Sequence, residues 1–167
     1  MTAPALPCLS FESPVGRLTL VARGEALAAV LWPQDAARPR RVVLAALQES
    51  PAHPTLQRAR AQLQAYFEGG RDGFDVPLDF AGTPFQQRVW RALLAIPHGQ
   101  TRTYAQIAQA VGAAGAVRAV GAANGRNPIS IIAPCHRVIG SNGTLTGFAG
   151  GLEAKAWLLR HEGALAP

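Results

Sequence analysis

Residues 131–143 read IIAPCHRVIGSNG, which sets Cys135, one of only two cysteines, between Pro134 and His136 directly after an apolar run. A thiol becomes an effective nucleophile only once deprotonated, and a neighbouring imidazole or cation lowers its pKa toward neutrality. His136 and Arg137 follow at once. In an extended chain adjacent side chains point to opposite faces, so His136 reaches the sulfur only through a turn or a bridging water. A histidine base also needs a partner that fixes its tautomer. Beyond residue 82 the only carboxylates are Glu153 and Glu162, and Glu162, at the end of the last predicted helix, is the expected partner. The competing reading makes Cys135 a buried small hydrophobe, since free cysteine is among the most buried residue types.

Neither metal nor cofactor is expected. Cys8 and Cys135 are far apart, and His53, His98, His136 and His161 are scattered, so no zinc-ligand cluster forms in the sequence. Both cysteines are expected as free thiols, because disulfide-stabilised scaffolds carry several bridges.

The net charge of +6 is unevenly placed. Residues 1–82 hold eight arginines against eight acidic residues, whereas residues 83–167 hold eight basic residues against Glu153 and Glu162 alone. Such asymmetry points either to a polyanion partner, through counterion release, or to a solvated basic surface.

The elements that must carry these groups follow from patterning. Residues 9–32 alternate apolar and polar around Pro14-Val15-Gly16 and Arg23-Gly24-Glu25, which predicts antiparallel strands joined by tight turns. Residues 55–68 place Leu56, Ala59, Leu63, Tyr66 and Phe67 at helical spacing before Gly69-Gly70. The stretch 69–84, rich in Gly, Asp and Pro, marks a boundary between residues 1–80 and 81–167. Beyond it, Thr83 caps a helix with Pro84 at its first position, carrying Phe85, Val89, Trp90, Leu93 and Ile96 on one stripe. Two further helices, one from Thr103 that stops at Gly112 and one from about Ala116 that stops before Asn127-Pro128, suggest a helix-turn-helix, the alternative being an alanine-rich structural helix. The run ISIIAP reads as a short buried strand leading into Cys135, and GSNGTLTGFAGG as a glycine-rich loop. The last helix places Leu152, Ala156 and Leu159 on one face, with Lys155, Arg160 and Glu162 able to face water. The class is α+β.

At 167 residues, 49% of them hydrophobic, the chain can bury a core and is not disordered. No apolar run approaches the roughly 18 residues of a membrane span, and no secretory leader is legible, so a soluble, cytoplasmic monomer is expected.

PCHRVI, with Asn127-Pro128 shortly before it, resembles the active-site signature of the O6-alkylguanine-DNA alkyltransferases. FQQRVW, IPHGQTRTYAQIA, AVRAVGAANGRNP, IIAPCHRVIGSNGTLTGFAGG and KAWLLRHEG resemble that family's blocks in order and spacing, across nearly all of residues 84–163. The resemblance implies a ribonuclease H-like N-terminal domain of sheet and helix, residues 1–80. It implies a C-terminal winged-helix-like helix-turn-helix domain, residues 81–167, carrying the active site. The implied activity is DNA repair on double-stranded DNA containing O6-alkylguanine. The alkyl group passes directly, stoichiometrically and irreversibly to Cys135, with the damaged nucleotide flipped out and O4-methylthymine as a further substrate.

By position, Glu162 and His136, through a water, would make Cys135 a thiolate, and Asn127 would brace the network. Tyr104 would turn the 3′ phosphate and donate to the flipped base, while Val138, Gly147, Phe148 and Ala149 would line the pocket. Arg118 would fill the vacated place in the stack. It would join Ala119, Gly121, Ala122, Ala123 and Arg126 on the helix that enters the minor groove. Two departures touch the pocket: Ala133 stands where a larger aliphatic is usual, and Phe148 where tyrosine is commoner. The zinc-binding cluster of some members is missing.

Overall fold

The computed structural model describes residues 4–166, so residues 1–3 and 167 of the two expected segments lie outside it. Strands β1 (Leu6–Ser13), β2 (Gly16–Arg23) and β3 (Ala26–Leu31) form an antiparallel meander, and a short β4 (Leu47–Glu49) adds to β1 in parallel, giving the order β3-β2-β1-β4. Alternation sorts the two faces. Leu18, Leu20 and Ala22 point to the main core, whereas Cys8, Val21 and Ala29 form a small second cluster under Val42 and Leu44. Helix α1 (Pro54–Phe67) starts where His53 Nδ1 accepts from the Thr55 amide and buries Leu56, Ala59, Leu63 and Tyr66 against the sheet. Each fully buried leucine there contributes about 1.5–3 kcal/mol.

The stretch 69–84 does more than connect. Leu27 donates its amide to the Pro77 carbonyl at 2.8 Å and accepts from the Asp79 amide at 2.9 Å, and the Val30 amide donates to Pro128 at 2.8 Å. The β3 edge is therefore covered from both sides of the expected boundary, and one continuous core runs from Leu9 to Leu158.

Three helices follow: α2 (Pro84–Leu93), α3 (Tyr104–Ala110) and α4 (Val117–Gly125). Thr83 with Gln86, and Thr103 with Gln106, form reciprocal capping boxes that satisfy the first amides of α2 and α3. Between α3 and α4 the chain turns at Gly112, whose φ of 75° lies in the left-handed region. Val120 and Ala123 of α4 face the core, and Trp90 Nε1 donates to the Ala123 carbonyl at 2.8 Å. Ala123 is thus a packing residue and does not share the exposed face of Arg118, Ala119 and Ala122, contrary to the sequence expectation. Strands β5 (Arg102–Thr103) and β6 (Val138–Ile139) pair in parallel, and α5 (Leu152–His161) closes the chain.

Two local readings are corrected. ISIIAP is not a strand. It makes only the isolated bridges Val30–Ile129 and Ser130–Ala133, and Ile131 turns back at φ 74°. A β-branched residue there is a strained outlier; the surrounding core, in which Ile131 is 1% exposed, holds it in place. On α5 the buried stripe is Ala154, Lys155, Leu158 and Leu159, while Leu152 is exposed. Helical phase alone misplaces a long side chain whose polar tip finds carbonyls inside.

Candidate active site

Because Ile131 reverses the chain, Cys135 opens a single 3-10 turn, Cys135–Arg137, rather than ending a strand. That turn puts three successive side chains inside the protein: Cys135, His136 and Arg137 are all buried. Glu162, just past the end of α5, is buried too and gathers them. Its Oε2 accepts from His136 Nε2 at 2.8 Å, Arg137 Nη2 at 2.9 Å and Tyr66 Oη at 2.6 Å, while Oε1 accepts from Arg137 Nε at 2.8 Å. Burial opposes ionisation of Glu162, but the bonds from His136, Arg137 and Tyr66 outweigh it and hold the carboxyl well below its usual range.

An ionised carboxylate only accepts, so His136 Nε2 carries the proton and Nδ1 carries the lone pair. Nδ1 is buried and has no partner among the described residues. Burial also lowers the His136 pKa, against the pull of Glu162, so the ring is neutral at pH 7 with a free base at Nδ1.

Burial raises the Cys135 pKa, and four groups oppose it: the side chains of Asn127 and Ser130, then the charges of Lys155 and Arg41. Arg137, the cation beside it in sequence, is instead consumed by Glu162 and by the Ile96 carbonyl at 2.6 Å. Ser130 Oγ has no other hydrogen bond among the described residues, which leaves it free to donate to a thiolate. Lys155 is fully buried on two carbonyls, Val138 at 2.7 Å and Thr146 at 3.1 Å. Desolvation pushes its pKa down to about 8, with Cys135 opposing. A buried cation without a carboxylate is costly, and Cys135 is the group whose ionisation would offset it.

Asn127, also fully buried, donates from Nδ2 to the Ala133 carbonyl at 2.8 Å and accepts the Ile129 amide on Oδ1 at 3.1 Å, stapling the strained turn. Its own carbonyl accepts from Arg41 Nη1 at 2.9 Å, and Arg41 is held by a bidentate pair with Asp35 at 2.6 and 2.8 Å.

Next to this buried series lies a cavity of about 540 Å³ lined by Tyr104, Arg118, Gly121, Gly147, Phe148 and Ala149, with Arg38 at its edge. Tyr104 and Thr146 share a hydroxyl hydrogen bond of 2.7 Å. Phe148 links cavity to buried site, its ring 6.4 Å from that of His136. Cys135 itself does not line the cavity, and Val138 is fully buried away from it. Arg126 lies elsewhere, on a smaller cleft with Arg23, Arg40 and Arg41. The structure therefore buries Cys135, His136, Glu162 and Asn127 together, with His136 bonded to Glu162 and Asn127 beside Cys135, and sets Tyr104, Arg118 and the 147–149 loop around another space. Sequence reasoning missed Tyr66, Arg41, Ser130, Lys155 and Arg38. Tyr66 sits 96 residues from Glu162 and Arg41 sits 86 from Asn127, so no local signal marks them.

A sheet-and-helix half is followed by a half with a helix-turn-helix pair that carries a buried Cys-His-Glu series. Residues 8–80 match the family profile "6-O-methylguanine DNA methyltransferase, ribonuclease-like domain", and residues 84–164 match "6-O-methylguanine DNA methyltransferase, DNA binding domain". The chain is 49% identical over 158 residues to a methylated-DNA–protein-cysteine methyltransferase of Mycobacterium tuberculosis, covering 95% of this chain and 93% of that one. It is 46% identical over 154 residues to the one from Methanosarcina acetivorans, covering 92% and 96%. The crystal structure of M. tuberculosis OGT in complex with DNA superposes with a TM-score of 0.85 at 47% identity, covering 96% of this chain and 95% of that one. The chain belongs to the 6-O-methylguanine DNA methyltransferase family and is a DNA-binding methyltransferase of DNA repair.

Proposed function

We propose that the protein takes the alkyl group of an O6-alkylguanine in duplex DNA onto Sγ of Cys135, once per molecule. Residues 8–80 and 84–164 act as a supporting domain and as the domain that binds DNA and carries the reaction. His136 Nδ1, through one water, removes the thiol proton, and Glu162 balances the imidazolium that forms. The thiolate attacks the alkyl carbon in line as the carbon–O6 bond breaks. The electron pair of the broken bond passes to the base, which is protonated to guanine with Tyr104 as donor, and Tyr104 recovers a proton, through solvent, from the His136 imidazolium. Water does not displace a thiolate from the thioether that forms at neutral pH, so the product is permanent and the protein is consumed.

The target carbon is stacked inside the duplex, so the nucleotide must flip, at a few kcal/mol. Arg118 stands on the exposed stripe of α4 among Ala119 and Ala122, small residues that let the backbone approach a groove while one long side chain enters the stack. Gly121, on the cavity side of the helix, and Arg126, past its end, complete the DNA face. The O4-methyl group of thymine, an alkyl ether on an exocyclic oxygen, reacts by the same route. The protein works as a monomer in the cytoplasm, needing no cofactor.

One observation carries this reading: a cysteine that is 3% exposed, with a neutral buried histidine beside it, stands in the half of the chain that matches the DNA-binding profile. Cys135→Ser tests it. The variant should bind methylated duplex as the parent does and transfer nothing; retained transfer would overturn the proposal.

A further inference from the structure

The loop between β6 and α5 forms one wall of the cavity, yet little within it fixes its shape. Between residues 145 and 150 its internal hydrogen bonding is confined to the Gly151 amide donating to the Phe148 carbonyl at 3.0 Å. Tyr104 and Lys155 hold the loop at Thr146, and residues 148–150 beyond it are held from the other half of the chain. The Trp32 ring packs edge-on against Phe148 with centroids 5.2 Å apart, and a Cβ on Gly150 would lie 2.5 Å from that same ring. Gln34 Nε2 donates to the Gly150 carbonyl at 3.0 Å, and Arg38 Nη2 donates to the Ala149 carbonyl at 2.5 Å. Residues 148, 149 and 150 are each gripped by a different side chain of one segment.

That segment is tied to itself by hydrogen bonds. It is a 3-10 turn, Pro33–Ala37, in which Asp35 Oδ2 accepts the Trp32 amide at 2.8 Å and the Arg38 amide donates back to the Asp35 carbonyl at 3.0 Å. Asp35 is locked in turn by its pair with Arg41, which reaches the Asn127 carbonyl.

We propose that residues 32–38 are a clamp that positions the 147–150 wall and thereby sets the size of alkyl group Cys135 accepts, with Arg38 and Gln34 as its positioning residues. The proposal rests on the reading of this cavity as the place where the alkylated base sits. Phe148 stands between Trp32 and His136, 5.2 and 6.4 Å from their rings. A bulky adduct approaching the sulfur must push that ring outward, and the pins on Ala149 and Gly150 resist the movement. A methyl group needs no such displacement and gains from a fixed wall.

The test compares single-turnover transfer from O6-methylguanine and O6-benzylguanine placed in the same duplex, so that DNA binding and flipping enter both rates alike. With Gln34→Ala/Arg38→Ala the benzyl-to-methyl rate ratio should rise roughly tenfold, the scale on which a pocket discriminates by size. Arg38→Lys, which keeps a donor for Ala149, should restore the ratio toward that of the parent. Hydrogen exchange should quicken across residues 144–151 and not in α2 or α4. An unchanged ratio, whether both rates fall together or neither moves, overturns the clamp as a determinant of size. Unchanged exchange overturns it as a positioning device. A parent protein that accepts neither alkyl group overturns the proposed function itself, a distinct result from an altered or unaltered ratio.

Discussion

Glu162→Gln is the sharpest perturbation of the buried network, because the side chain keeps its shape and loses only charge and one acceptor. Four hydrogen bonds converge on the carboxylate, three on Oε2 and one on Oε1. A glutamine oxygen placed at the Oε2 position keeps His136, Tyr66 and Arg137 Nη2. Its NH2 then faces Arg137 Nε, donor against donor, and Arg137 becomes a buried cation without a counterion. Breaking a buried pair from one side costs about 3–5 kcal/mol. For a chain of this size each kcal/mol moves the melting temperature by about 2–4 °C, so the midpoint should drop by about 6–20 °C.

The effect on rate has a separate cause. His136 is already disfavoured as a cation by burial and by the Arg137 charge, and Glu162 is the group that opposes both. Without it the imidazolium formed on proton removal is left beside an unbalanced arginine. Transfer should slow by about a hundredfold, the low end of what a positioned general base contributes. Calorimetry and single-turnover transfer from a methylated duplex, run below the lowered midpoint, read the two effects independently. Parent stability together with parent rate would refute both the buried ion pair and the assignment of His136 as base.

Arg118→Ala should slow repair in duplex DNA far more than transfer from free O6-benzylguanine, which needs no flipping; equal slowing on both substrates would remove the finger role. Lys155→Met should move the pH–rate profile upward. Lys155, with its pKa near 8, is charged below that pH and favours the Cys135 thiolate there. Removing the charge should cost about tenfold at pH 7, recovered on raising the pH; an unshifted profile would show that the lysine only ties two carbonyls.

The legible parts of this molecule were those that local spacing encodes. The cap at Thr83, the stripe of α1 and that of α2 lie within one or two helical turns, and each appears in the fold as its spacing implied. Glu162 could be chosen because residues 83–167 hold only two carboxylates. What the sequence could not show is tertiary override. Ile131 carries no sign that it will adopt a positive φ, and ISIIAP looks like any buried strand until Asn127 staples it into a turn. Lys155 falls at a helical position that an amphipathic reading gives to solvent, yet two backbone carbonyls 9 and 17 residues earlier draw it inside. Tyr66, Arg41 and Arg38 reach the site from the first half of the chain, across 86 to 111 residues. Their side chains resemble those of any helix or loop, and only packing of the sheet half against the helical half reveals their partners.

The central claim is that Cys135 is the acceptor and that each molecule reacts once. Mass spectrometry of the intact protein after exposure to excess O6-methylguanine duplex, followed by peptide mapping, measures both. The expected result is a single added methyl group, on the peptide that bears Cys135, with repaired guanine never exceeding the protein supplied. Methyl on Cys8, or repaired guanine accumulating beyond one per protein molecule, would contradict it.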